Sequence, residues 1–212
     1  MHTMVELTVN SVLLFVELAC CMAAAVYTIR GSYRTFGLLT MFYGVSAMGS
    51  LYWVLFQFFY DHTPNVFYVS DISWYASYLF LWHLIHHLST EEERGFRHPL
   101  MYAVPVIPAG FCVFYFRWGD YVGNVISALL MGLLMYHSVR GLLYIRKKGK
   151  GKNRRMLYTA VLAFCVLEYC VWTSSCFWGG DTLANSYFWF DIMVYLCMTL
   201  FLPGTRKAVK PE

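Results

Sequence analysis

The sequence predicts an all-α, polytopic integral membrane protein, a seven-transmembrane-helix bundle forming a single transmembrane domain over residues 1–212. Three observations predict it. Hydrophobic residues make up 59% of the chain and charged residues 13%, against roughly 45–50% and about 25% in soluble domains. Seven runs approach the about 20 apolar residues that a helix needs to cross a bilayer. Nearly all the basic residues fall between alternate runs, on one side. Together with a mean hydropathy of +0.51, this excludes a disordered chain, a secreted disulfide scaffold and an ordinary soluble enzyme.

The expected spans are Leu7–Ile29, Phe36–Phe59, Val69–Leu88, Pro99–Phe116, Tyr121–Ile145, Met156–Trp178 and Tyr187–Pro203. The runs are too long for barrel strands and lack their alternation. The fourth is short and carries Pro105 and Pro108, which a membrane helix tolerates when neighbours satisfy the freed carbonyls. The first connection holds Arg30 and Arg34, and the third holds Arg94 and Arg97. The fifth reads RKKGKGKNRR from Arg146 to Arg155, and the tail holds Arg206, Lys207 and Lys210. With Arg140 near the end of the fifth span, every Lys and Arg except Arg117 lies on one side, which the positive-inside rule assigns to the cytoplasm. The amino terminus is then expected outside and the carboxyl terminus inside. MHTMVELTVN lacks the basic start of a cleavable signal peptide, so the first span is expected to serve as its own anchor. From the short tail, no attached cytosolic effector domain is expected.

The first span carries a stripe of Asn10, Leu14, Glu17, Cys21, Ala24 and Thr28 at steps of three and four, as a helix–helix interface requires. The second offers Gly44, Ser46, Gly49 and Ser50. The third, SDISWYASYLFLWHLIHH, places Asp71, Tyr75, Tyr78, Trp82 and His86 on one face. An aromatic stripe leading inward from an acid suits a cationic or amphipathic ligand held by cation–π contact. The fifth offers Asn124, Ser127 and Ser138.

Ionisable groups inside a bilayer are costly, and each is a functional candidate. Counting at about 1.5 Å per residue puts Glu17 and Glu168 near mid-membrane, Asp191 in the outer third of the last span and Asp71 at the outer mouth of the third. No Lys or Arg lies at mid-depth to neutralise them. The expectation is a polar core open to the outside, lined by Glu17, Ser46, Ser50, Ser127, Glu168 and Asp191. The ligand-binding candidates are Glu17, Asp71, Tyr78, Trp82, Glu168 and Asp191.

The cysteines at 20, 21, 112, 165, 170, 176 and 197 form no CxxC and do not make a disulfide framework. Only Cys112 and Cys176, near the outer ends of their spans, could form one bridge. His83 to His87, HLIHH, resembles one histidine box of the membrane desaturases and hydroxylases, which use three such boxes to hold two irons. Seven histidines, mostly scattered, are too few for that site. His83 and His87 at i, i+4 could still hold a single metal with Glu168 or His137 as a third ligand, or serve as haem axial ligands. Glu92 to Arg97, EERGFR, resembles the EExxxR signature of CAAX-processing-type intramembrane proteases. That family keeps these acids inside the bilayer and adds an FxxxH downstream. Here the stretch reads as a hydrophilic loop with no FxxxH after it, so the match is fortuitous. The last span has no lysine for a retinal Schiff base, which excludes ordinary retinal chemistry.

The stretch from Gly49 to Ile85 is similar to the middle of multi-helix input modules of bacterial signalling proteins. The shared pattern is a Gly/Trp-containing helix, a Pro-containing outer loop, and then Asp, aromatic and Tyr residues opening the next helix, here Gly49, Trp53, Pro64, Asp71, Trp74 and Tyr78. The resemblance implies a multi-pass protein of a bacterial inner or plasma membrane that senses a ligand or the membrane state. It implies that any signal passes to a separate cytoplasmic or membrane protein partner. The expected function is binding of a small ligand or cation in the polar core by a sensor or receptor-like regulatory module. The alternatives are a small transporter or proton-coupled channel using the same carboxylates, and a metalloenzyme or haem protein using His83 and His87. The lipid bilayer is an expected partner and nucleic acid is not.

Overall fold

The computed structural model describes residues 4–31, 33–60, 62–64, 68–180 and 182–210. These form α1 (Met4–Arg30), α2 (Tyr33–Tyr60), α3 (Tyr68–Leu88), α4 (Glu91–Gly95), α5 (Pro99–Ala103), α6 (Val106–Tyr115), α7 (Tyr121–Lys148), α8 (Arg155–Phe177), α9 (Ser186–Thr199) and α10 (Phe201–Ala208), with 3-10 turns at Phe116–Trp118 and Lys152–Arg154 and no strand among the described residues. Among the described residues, six segments are long and apolar enough to cross a membrane: Met4–Arg30, Arg34–Tyr60, Pro99–Trp118, Tyr121–Lys148, Lys152–Phe177 and Ser186–Ala208. The helix α3 is not among them. Its serines, tyrosines, histidines and Asp71 dilute its apolar content, and it is packed between α2 and α7.

Prolines divide two of the apolar segments. Pro108 has no N–H to offer the Val104 carbonyl, so α5 and α6 meet at a joint bridged by the shorter Ile107 N–H to Val104 bond of 3.2 Å. Pro203 likewise leaves the Thr199 carbonyl without its helical donor, and α9 gives way to α10 at Leu200. The last helix therefore continues past the expected boundary at Pro203. Arg206 and Lys207, read from sequence as tail, sit on α10. Between α7 and the 3-10 turn, Gly149 closes the helix in the left-handed region at φ +72°, a conformation that costs glycine little.

The helices α1, α2, α3, α7, α8 and α9 pack in that order, and α9 returns to α1, closing a ring. The helix α6 packs on the ring against α7 and reaches α8, where Phe111 stacks on Tyr169 at 4.4 Å and the Tyr115 hydroxyl meets Thr173 Oγ1 at 2.8 Å. The expected stripe of α1 faces α2: Asn10 donates to Gln57 at 3.2 Å, Cys21 reaches the Thr40 carbonyl at 3.6 Å, and Thr28 meets Thr40 at 3.2 Å. Inside the ring, Phe42, Phe164 and Phe201 form edge-to-face pairs at 5.5 to 6.3 Å, each contributing about 0.5–1.5 kcal/mol beyond burial.

Gly49 sets the spacing of α2 and α3. A Cβ there would lie 2.9 Å from Trp74 Nε1 and 3.2 Å from the Ser70 carbonyl oxygen. Close backbone approach through small residues is a main source of helix association in lipid. Gly49→Val is expected to destabilise the bundle by about 1–3 kcal/mol, measured as a lower midpoint of unfolding in detergent. An unchanged midpoint would show that the helices separate freely at this point.

Candidate functional site

The ring encloses a cavity of about 700 Å³. It reaches from Phe42, Phe164 and Met198 at its floor to Thr63, Asp120 and Asn185 at the loop-bearing end. Two of these end residues are helix caps. Asp120 accepts from Gly123 N–H at 3.1 Å and opens α7, and Asn185 accepts from Tyr187 N–H at 3.0 Å and opens α9.

Among the described residues, six carboxylates line the cavity: Glu6 and Glu17 from α1, Asp71 from α3, Asp120 ahead of α7, Glu168 from α8 and Asp191 from α9. No Lys, Arg or His is among the described lining residues. Glu17 is 1% exposed. Ser46 donates to its Oε1 at 2.5 Å, while its Oε2 is buried with no hydrogen-bond partner. Glu168 accepts from the Tyr78 hydroxyl at 3.1 Å. Asp191 carries no hydrogen bond or ion pair among the described residues. Glu17, Glu168 and Asp191 lie within electrostatic reach of one another, as do Asp191 and Glu6, and Asp71 and Asp120.

Aromatic side chains make up much of the remaining wall, including Trp53, Trp74, Tyr75, Tyr78, Tyr187 and Tyr195. Trp53 Nε1 donates to Glu6 at 3.3 Å, and the Tyr195 hydroxyl pairs with Ser50 at 3.2 Å. The arrangement is a carboxylate-rich chamber with π faces between the acids, a chemistry suited to a cation.

Most of the residues expected from sequence meet here: Glu17, Ser46, Ser50, Asp71, Tyr75, Tyr78, Asn124, Ser127, Glu168 and Asp191 all line the one cavity. Others are placed elsewhere. Trp82 does not line the chamber; it packs against His86 at 5.7 Å and His137 at 5.9 Å. Gly44 and Gly49 serve helix contacts. Ser138 is fully buried outside the cavity. Sequence reasoning missed Glu6 and Asp120, and it named Asn10 and Trp53 without placing them in the cavity wall. Asp120 directly before an apolar run was a readable cap signal, but nothing in the linear order placed it beside Asp71.

His83 and His87 lie exposed on α3. The expected third ligands do not join them. Glu168 belongs to the cavity, and His137 meets His86 at 5.8 Å instead. The Arg140 guanidinium donates to His137 Nδ1 at 2.9 Å, which leaves the imidazole proton on Nε2. No group of three His, Cys, Asp or Glu side chains among the described residues is arranged to hold a metal ion. Cys112 and Cys176 are both free thiols.

The stretch read as a hydrophilic loop is folded inward at Glu93. Thr90 caps α4 by accepting from Glu93 N–H at 3.3 Å. Glu93 is fully buried and accepts from the Tyr158 hydroxyl at 2.7 Å and from Ser89 at 3.2 Å, with Arg154 at 3.2 Å. Beside it, Glu92 pairs with Lys150 at 3.0 Å and accepts from the Tyr144 hydroxyl at 2.8 Å. The Lys150 ammonium beside Glu92 holds its carboxyl below the usual carboxylate range, helped by Tyr144. That clamp is in place above the ordinary carboxylate pKa and is lost as pH falls through the lowered one.

No family model, curated protein or solved structure matches this chain.

Proposed function

We propose that the chain crosses the membrane seven times, with α3 as the seventh span and the amino terminus outside, and that its cavity binds a small organic cation. The protein then acts as a sensor or receptor-like module, passing its signal to a separate membrane or cytoplasmic partner. The observation that carries this reading is the composition of the cavity. Every described acidic residue outside α4 lines it, and no described basic residue does. Crowding carboxyls in a low-dielectric chamber is costly without a counter-charge, and a bound cation supplies one. The volume lies within the roughly 300–1,000 Å³ typical of small-molecule sites, and the tryptophan and tyrosine faces add cation–π attraction. The polar α3 packs between α2 and α7, which supports its place as a span.

Titrating the purified protein with phenethylammonium, phenylethanol and phenylacetate tests the reading. Phenethylammonium is expected to raise the unfolding temperature and to change tryptophan fluorescence, with little response to its neutral and anionic analogues. Equal responses to all three would remove the charge argument.

A second reading is transport of the same cation. It is favoured by the α9–α10 joint next to Met198 at the cavity floor, since broken helices around a central site are a transporter feature. The Tyr43 hydroxyl donates to the Met198 carbonyl at 2.6 Å there. Uptake of labelled phenethylammonium into proteoliposomes separates the two: binding without flux supports the sensor, and saturable flux supports the carrier.

A further inference from the structure

We propose that a groove between α8 and α10, which shares no described lining residue with the carboxylate cavity, binds an anionic phospholipid. The groove has a volume of about 650 Å³. Its wall is apolar, built from Met156, Ala160 and Ala163 of α8 and from Cys197 and Leu200 at the α9–α10 joint. Its rim carries four cations from separate segments: Lys152, Arg155, Lys207 and Lys210.

The fold builds this groove by holding α10 against α8. Gly204 permits the approach, because a Cβ there would lie 3.2 Å from Leu157 Cα. Asn153 donates to the carbonyls of Ala208 at 3.2 Å and Lys210 at 2.7 Å, fixing the end of α10 beside the start of α8. Cys197 donates to the Ala160 carbonyl at 3.1 Å and closes the floor.

The basic residues of this region divide into two groups. Lys150 and Arg154 are committed to Glu92 and Glu93, and Arg206 lies 4.9 Å over the Tyr27 ring. The four rim cations make no ion pair with a carboxylate among the described residues, and all four are exposed. Topology alone would require basic residues at this end but not four unneutralised ones around an apolar slot. Phosphate oxygens suit the rim. The slot continues along exposed Thr159, Ala163 and Leu200 on the outer surface of the bundle, as an acyl chain needs. No aromatic side chain among the described lining residues offers a stacking platform for a nucleic-acid base.

The test uses the full chain in a neutral detergent, with phosphatidylglycerol, phosphatidylcholine and glycerol phosphate as probes, read by native mass spectrometry and thermal unfolding. Phosphatidylglycerol is expected to remain bound and to raise the unfolding temperature, and phosphatidylcholine is not. R155Q/K207Q is expected to weaken phosphatidylglycerol binding by roughly tenfold or more. K147Q/K148Q removes the same net charge from exposed residues outside the groove and is expected to leave binding unchanged. Ala163→Trp fills the slot while keeping every cation, and is expected to displace the lipid; it decides the matter if the double variant does not fold. Equal loss in both double variants would reduce the effect to diffuse electrostatics. Undiminished binding to Ala163→Trp would overturn the proposal, and so would a glycerol phosphate response matching that of the lipid. Phenethylammonium binding is expected to be the same in all these variants.

Discussion

Replacing Glu168 by glutamine is expected to weaken binding of phenethylammonium about a hundredfold, or about 2.7 kcal/mol, while making the empty protein more stable. The two effects have opposite signs for one physical reason. Glu168 shares its chamber with Glu17 and Asp191, and no described lining residue is basic. Removing one charge relieves crowding when the chamber is empty and removes attraction when a cation is present. The amide oxygen of a glutamine still accepts from the Tyr78 hydroxyl that now lies 3.1 Å from Glu168 Oε1, so the packing is retained. Glu17→Gln is expected to act the same way, because Ser46 can still donate to it. Calorimetric titration and unfolding without ligand measure the two halves. Lower stability with unchanged affinity in both variants would mean that the carboxyls are packing residues.

Glu93→Ala is expected to cost about 3–5 kcal/mol of stability, the largest single loss in the molecule. Glu93 has no exposed surface, and its partner Arg154 has 10% of its side chain exposed. The truncation strands the guanidinium and removes the acceptor for Tyr158, which now donates at 2.7 Å. A double replacement, E93L/R154M, is expected to recover much of the loss, since a buried pair exchanged for apolar side chains is often near neutral. Unfolding in detergent across the wild type, E93L, R154M and E93L/R154M measures the coupling. Additive losses with no recovery would show that the pair does not act as a unit. Neither variant is expected to alter cation binding, because Glu93 lies outside the cavity.

Much of the cavity was readable before folding. Glu17, Glu168 and Asp191 stood out because each interrupts an apolar run with no basic residue at its depth. Helical spacing then put Ser46, Ser50 and Tyr78 on faces that could meet them. The stripe on the first span pointed correctly at α2, since small and polar residues at steps of three and four have few other uses in lipid. The readings that changed share a different cause. Trp82 continues the stripe of Asp71, Tyr75 and Tyr78, yet a stripe does not say where the cavity ends, and His137 and His86 claim its ring. Glu92 to Arg97 reads as solvated because it is charged, but one of its carboxylates finds Arg154 and Tyr158 about sixty residues away. Prolines at 108 and 203 announced missing hydrogen bonds. Whether each would kink, break or merely tilt its helix depended on what satisfied the freed carbonyl.

By itself, the sequence determined the all-helical class and, of the seven spans expected from it, the six that are long and apolar among the described residues, because the bilayer's thickness and lack of water leave a chain so little choice. It also determined which few polar groups would need an explanation. Only the tertiary structure decided that α9 closes the ring on α1. That closure brings Glu6, Asp71, Asp120 and Asp191 around the same space as Glu17 and Glu168. It likewise decided that Lys150 and Arg154 of the basic run are neutralised by α4 while Lys152 and Arg155 face an apolar slot. Helix periodicity assigns each side chain a face, but which faces share a cavity is a question of helix order and rotation. Those follow from the small-residue contacts, caps and proline joints acting together.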